Sequence, residues 1–99
     1  MPPWFVYLAE CADGSLYTGI ARDVAARLAA HDAGRGAKYT RGRGPLRLLA
    51  TRRCQSEGNA LRLERAVKAL SREQKRALVA SADAFRALAR RIRRAASRR

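Results

Sequence analysis

The 99-residue chain carries 22 Lys and Arg against 8 Asp and Glu, a net charge of +14, with an ordinary hydrophobic content of 47%. That length allows one domain around one modest core. Its hydrophobic content excludes wholesale disorder, and no run of about 18 apolar residues is present to cross a membrane. Nineteen of the cations are arginine, whose planar fork pairs bidentately with phosphate, so the excess positive charge points to a polyanionic partner, above all nucleic acid. The N-terminal "MPPWFVYLAEC" has neither a basic leader nor a small-residue cleavage site, which leads us to expect a cytoplasmic protein. Cys11 and Cys54 have no CxxC or histidine companion, so reduced, partly buried thiols are expected rather than a metal or redox motif.

In chain order, "WFVYLAEC" (4–11) is aromatic and β-branched and predicts a strand. "ADG" (12–14) is a turn and "SLYTGIA" (15–21) a second strand pairing back on the first. Asp23 is suited to cap a helix through "VAARLAAHDA", with Gly34 placed to end it. Residues 34–45, with glycines at 34, 36, 42 and 44 and cations at 35, 38, 41 and 43, predict a basic loop. It lacks the P-loop spacing. "LRLLATRRC" (46–54) predicts a third strand, and the apolar stripe at 60, 63, 67 and 70 a helix over 56–70. "SREQ" (71–74) is a capping box opening another short helix. Residues 83–99 set Phe85, Leu88, Ala89 and Ile92 on one face and arginines elsewhere. The order β-β-α-β-α-α, followed by a basic helical tail, predicts an α+β domain with a three-stranded antiparallel sheet.

The hairpin turn decides where two tyrosines point. A two-residue Asp13-Gly14 turn would put Tyr7 and Tyr17 on opposite faces. A three-residue loop with Gly14 left-handed puts them on one face, with Tyr17 opposite Ala9. Gly14 suits the second geometry. Arg27 and His31, at i and i+4, share one side of their helix beside the stripe of Val24 and Leu28. Glu64 lies at the margin of its own helix's apolar stripe, next to Ala60, Leu61 and Val67, where a half-buried carboxylate needs a partner.

The stretch "VYLAECADGSLYTGIARDVAARLAAHDAGRGAKYTRGRGPLRLL", followed by a helix bearing Glu64, resembles a GIY-YIG nuclease domain, and more closely the small stand-alone GIY-YIG proteins of bacteria. The resemblance covers about residues 4–80 with its elements in family order. It implies a nuclease-like domain over 1–80 and leaves 81–99 as a basic amphipathic tail. Tyr7 takes the place of the tyrosine ending the first motif, and Tyr17-Thr18-Gly19 that of the second. Arg27, His31 and Glu64 fall where the family keeps its arginine, histidine and metal-binding glutamate. The first motif has lost its glycine in Phe5-Val6-Tyr7, Thr18 replaces an isoleucine, and no asparagine follows Glu64.

The implied activity is metal-dependent hydrolysis of phosphodiester bonds in nucleic acid, DNA being the expected substrate and repair or structure-specific processing the setting. In that chemistry Tyr17 takes a proton from water, its pKa lowered by His31 or a metal field, and Arg27 binds the non-bridging oxygens. Tyr7 orients the water or shares a proton with Tyr17. Glu64 holds one Mg²⁺ or Mn²⁺, completed by water and phosphate oxygens. Arg35, Lys38, Tyr39, Arg41 and Arg43 contact the nucleic-acid backbone. No membrane and no small-molecule cofactor is expected. The rival reading is a nucleic-acid-binding module that keeps the fold without turnover. Taken one at a time, the residues also have plain explanations: a packed tyrosine, a helix-end histidine, a Glu64–Lys68 surface pair.

Overall fold

The structure, a computed structural model, describes residues 3–36 and 42–97. Lys38, Tyr39 and Arg41, three of the expected backbone contacts, lie outside the described residues. The elements run β1 (Trp4–Glu10), β2 (Leu16–Ala21), α1 (Val24–Asp32), β3 (Arg47–Cys54), α2 (Glu57–Lys68), α3 (Arg72–Ala80) and α4 (Ala82–Ser97). The strands form an antiparallel sheet of order β2-β1-β3, so the chain folds as the α+β domain expected from its pattern.

The hairpin takes the three-residue turn. Gly14 N–H donates to Cys11 O at 2.9 Å, Cys11 N–H donates to Ser15 O at 2.8 Å, and Gly14 has φ +85°, a conformation costly for any residue with a Cβ. Asp13 reinforces it by accepting from the Ser15 backbone and hydroxyl at 3.0 and 2.6 Å. Tyr17 therefore pairs with Ala9 and Tyr7 with Gly19. Alternation along β1 then sends Val6 and Leu8 to one face and Tyr7 and Ala9 to the other.

Two cores result. On the first face Val6 and Leu8 pack with Ala60, Leu63 and Val67 of α2, Leu78 of α3, and Phe85 and Leu88 of α4. On the second, Tyr7, Ala9, Cys11, Ala21 and Leu46 are buried, with Tyr17, Val24 and Leu28 packed against them. The arginine-rich C-terminal helix is thus docked on the domain through its apolar stripe. Cys11 and Cys54 are free thiols, buried in different cores.

Helix ends follow their cap residues. Asp23 accepts from Ala26 N–H at 3.0 Å to start α1, and Ser56 accepts from Asn59 N–H at 3.1 Å to start α2. At α3 the capping box is reciprocal, Ser71 N–H to Gln74 Oε1 at 2.9 Å and Gln74 N–H to Ser71 Oγ at 3.1 Å. The end of α1 is a Schellman turn: Gly34 (φ +80°) donates to His31 O at 3.0 Å, and Arg35 N–H donates to Ala30 O at 2.8 Å. That turn folds the chain back over His31.

Candidate active site

Tyr7 is wholly buried, and its ring lies across the backbone of β2. Gly19 makes this possible, because a Cβ there would meet the Tyr7 Oη at 2.6 Å. The Tyr7 hydroxyl shares a hydrogen bond of 3.1 Å with Nε2 of His31, itself only 2% exposed. Gly36 closes over the imidazole, since a Cβ there would sit 1.9 Å from Nδ1. Tyr17 is half-buried beside the pair. Its ring stands 6.2 Å from that of Tyr7 and meets His31 edge-on at 5.1 Å.

Two charges reach this cluster from opposite sides of the sheet. Arg27, exposed on α1, lowers the proton affinity of both tyrosines and of His31. Glu64 comes from α2, which packs on the other face, and raises both tyrosines. Edge strand β2 lies between them. Tyr7, Tyr17, Arg27, His31 and Glu64 therefore come together around β2. Glu64 is 18% exposed and pairs with Lys68 at 3.5 Å. A groove of about 300 Å³ continues from Tyr17 past Leu16 and Thr18 to Lys68 and Lys75.

Proton affinities change two expected roles. Burial, then the neighbouring Tyr17, push the Tyr7 phenol up to about 12. Burial also pushes Tyr17 up, against the pull of Arg27. His31 is pushed down by burial and by Arg27, so it is neutral near pH 7 and supplies no positive charge to a Tyr17 phenolate. Tyr7, with no exposed surface, is a partner of His31 rather than a group facing water.

The basic loop is tied down at both ends. Asp32 Oδ1 accepts from Leu46 N–H at 2.8 Å, which fixes the entry to β3. Arg43 Nη1 donates to Asp13 Oδ2 at 3.0 Å, and Ala12 N–H donates to Arg43 O at 2.6 Å. Arg43, expected to contact phosphate, thus anchors the loop to the hairpin turn. Arg35 is exposed just beyond the end of α1. Sequence reasoning did not single out Asp32, Gly36 or Lys75, and it placed Asp13 in the hairpin turn without its contact to Arg43. An Asp at a helix C-terminus, where the macrodipole disfavours it, was the available signal for Asp32.

A model of the GIY-YIG catalytic domain matches residues 3–77. The chain belongs to the GIY-YIG family. A UPF0213 protein of Cupriavidus pinatubonensis is 51% identical over 80 residues, 81% of this chain and 89% of that one. A UPF0213 protein of Cronobacter sakazakii is 48% identical over 88 residues, 89% and 93% of the two chains. The solution NMR structure of a UPF0213 protein from Bacillus halodurans shares the fold, with a TM-score of 0.52, 52% identity, and 79% and 83% coverage. GIY-YIG domains are nuclease domains that generally use divalent metal ions, so a nuclease-type function on nucleic acid follows at that level.

Among the described residues no group of three or more His, Cys, Asp or Glu could hold a metal. Glu64 would be the one carboxylate, with water and phosphate oxygens filling the other positions. Mg²⁺ and Mn²⁺ accept that arrangement, whereas a structural zinc site needs four protein ligands. No helix among the described residues is long and apolar enough to cross a membrane.

Proposed function

We propose that the protein is an endonuclease that hydrolyses phosphodiester bonds of DNA with Mg²⁺ or Mn²⁺ held by Glu64, in the cytoplasm, during repair or structure-specific processing. The observation that carries this reading is the packed cluster of Tyr7, Tyr17 and His31 on β1, β2 and α1, with Arg27 on α1 and Glu64 on α2 near enough to shift both phenols in opposite directions. A cation and an anion set across two phenols match the needs of phosphoryl transfer. Positive charge must meet the non-bridging oxygens, a water must be oriented, and a divalent ion must be held.

Arg27, exposed at the mouth, binds the phosphoryl oxygens through its fork of N–H groups. Tyr17 is the phenol with exposed surface, and its hydroxyl orients the attacking water. In the metal-free protein that phenol is protonated at neutral pH, and Glu64 contributes to keeping it so. Glu64 would hold a divalent cation, whose charge would ease loss of a proton from water or from the Tyr17 phenol. Tyr7 and His31 are positioning residues. Their buried hydrogen bond fixes the ring against which Tyr17 and Arg27 are set. Lys68 and Lys75 line the adjoining groove and meet flanking phosphates, as do Arg35 and the basic loop.

Two observations favour the second reading, a binding module without turnover: Glu64 is paired with Lys68, and burial raises the proton affinity of both tyrosines. Incubating purified protein with single-stranded, duplex, flapped and branched DNA, with EDTA, Mg²⁺ or Mn²⁺, separates the two. Metal-dependent cleavage of at least one substrate is expected. Binding without cleavage under every condition would establish the protein as a binding module instead.

A further inference from the structure

A second concavity lies away from the tyrosine cleft. It encloses about 250 Å³ where the end of β3, the start of α2 and the length of α4 meet. Five arginines line it: Arg52 and Arg53 from β3, and Arg86, Arg90 and Arg93 from α4. The last three stand at i, i+4 and i+7, one stripe of the helix. Beside that stripe run Phe85, Leu88 and Ile92, which dock α4 on the core, so docking itself turns the arginines toward β3.

Acidic partners do not account for this gathering. Arg86 pairs with Asp83 at 2.8 Å. Among the described residues Arg52, Arg53, Arg90 and Arg93 form no ion pair. Guanidinium groups collected around one concavity repel each other, and an anion seated among them relieves that repulsion. Arg86 to Arg93 spans seven helical residues, about 10 Å at ~1.5 Å each. That length spans about three base-pair rises of ~3.4 Å along a duplex axis and exceeds one small anion, so the row suits a phosphate backbone better than a single small anion. The location is also distinct. β3 is the edge opposite β2, and α4 packs on the face away from the tyrosines. Residues 3–77 carry the family match, so α4 adds this surface to the matched domain.

We infer that the arginine cavity is a second phosphodiester-binding surface, taking the backbone of a nucleic-acid segment other than the one in the tyrosine cleft. The inference rests on the proposed function only for the class of partner. One molecule then holds two segments at once, the arrangement that a branched or folded substrate requires.

Two double variants of the full chain test it, R90Q/R93Q in the cavity and R91Q/R94Q on the same helix outside it. They remove equal charge from exposed positions, and glutamine matches arginine in helix propensity, so both should fold, as circular dichroism will show. Affinity for a fluorescent duplex is read across a salt series without divalent metal. R90Q/R93Q should lower the slope of log K against log salt by about 1.8, two phosphates at ~0.9 each, and R91Q/R94Q by less than half of that. Wild type should also retain a labelled duplex on an immobilised one, and R90Q/R93Q should not. Equal slope changes in the two variants overturn the inference. So does thermal stabilisation by inorganic phosphate that needs Arg90 and Arg93 while the DNA slope stays unchanged, which would mean a small-anion site. No step here needs cleavage, so an inactive protein leaves the result readable, and equal slopes leave the cleft's chemistry untouched.

Discussion

Replacing Gly19 by alanine should dislodge the buried phenol on which the cleft is built. The new Cβ would stand 2.6 Å from the Tyr7 Oη, 2.7 Å from its Cζ and 3.0 Å from Cε2 of Tyr17. Carbon contacts are optimal at about 3.5 Å or more, so the Tyr7 ring must retreat by roughly 0.9 Å. It has no exposed side to retreat into, and its hydroxyl is tied to His31. Overpacking of this kind costs about 1–3 kcal/mol. At about 4–8 °C per kcal/mol for a domain this small, Tm should fall by roughly 5–20 °C. Where the variant is still folded, a misplacement near 1 Å should lower cleavage by about 100-fold. Thermal melts by circular dichroism and a cleavage assay well below Tm read the two effects. The double variant G19A/Y7F should recover only part of the loss, because removing the hydroxyl clears the 2.6 Å contact and leaves the one to Cζ. An unchanged Tm and unchanged cleavage in Gly19→Ala would refute the packing described for Tyr7.

Three further outcomes follow from the same geometry. His31 has its pKa lowered in the fold, so the unfolded chain binds that proton more tightly. Stability present above about pH 6.5 should drain as pH falls below it, and Tm of His31→Gln should be flatter across that window. Leu88→Ala, at a core position of α4 only 7% exposed, should cost about 2–5 kcal/mol in a denaturant titration; a change under about 0.5 kcal/mol would mean that α4 is not part of the core. Asp32→Ala should release Leu46 N–H, and its amide should exchange with solvent faster while the exchange of β1 is unaltered.

Local chemistry made much of the fold legible. Gly14 after Asp13 selected the hairpin turn and so put the two tyrosines on one face. Asp23, Ser56 and the Ser71–Gln74 box started three helices where their side chains could accept backbone N–H groups. The apolar stripe of 83–92 foretold a docked helix. What lay hidden depended on contacts distant in sequence. The bond between Tyr7 and His31 requires Gly19 to let a ring cross a strand, and Gly36 to cover the imidazole. Neither glycine has a positive φ, so no turn pattern marks them. Burial, which a sequence does not display, raises Tyr17 in the metal-free protein and leaves His31 neutral, so His31 is not the source of a lowered Tyr17 pKa. Arg43 read as a phosphate contact because its pairing with Asp13 spans thirty residues of chain.

Glu64→Gln bears most directly on the metal-dependent chemistry. The substitution keeps size and helix propensity and removes the charge that would hold a divalent ion. Losing the pair with Lys68 should cost no more than about 0.3–0.5 kcal/mol, so the variant should fold. Without metal it should bind DNA at least as well as wild type, since an anion has left the proposed phosphate-binding cleft. Cleavage in Mg²⁺ or Mn²⁺ should fall by about 100-fold or more, the equivalent of several kcal/mol of lost charge stabilisation. If wild type cleaves and Glu64→Gln cleaves equally well, in preparations cleared of contaminating nuclease, Glu64 does not hold the metal and the proposed chemistry is contradicted.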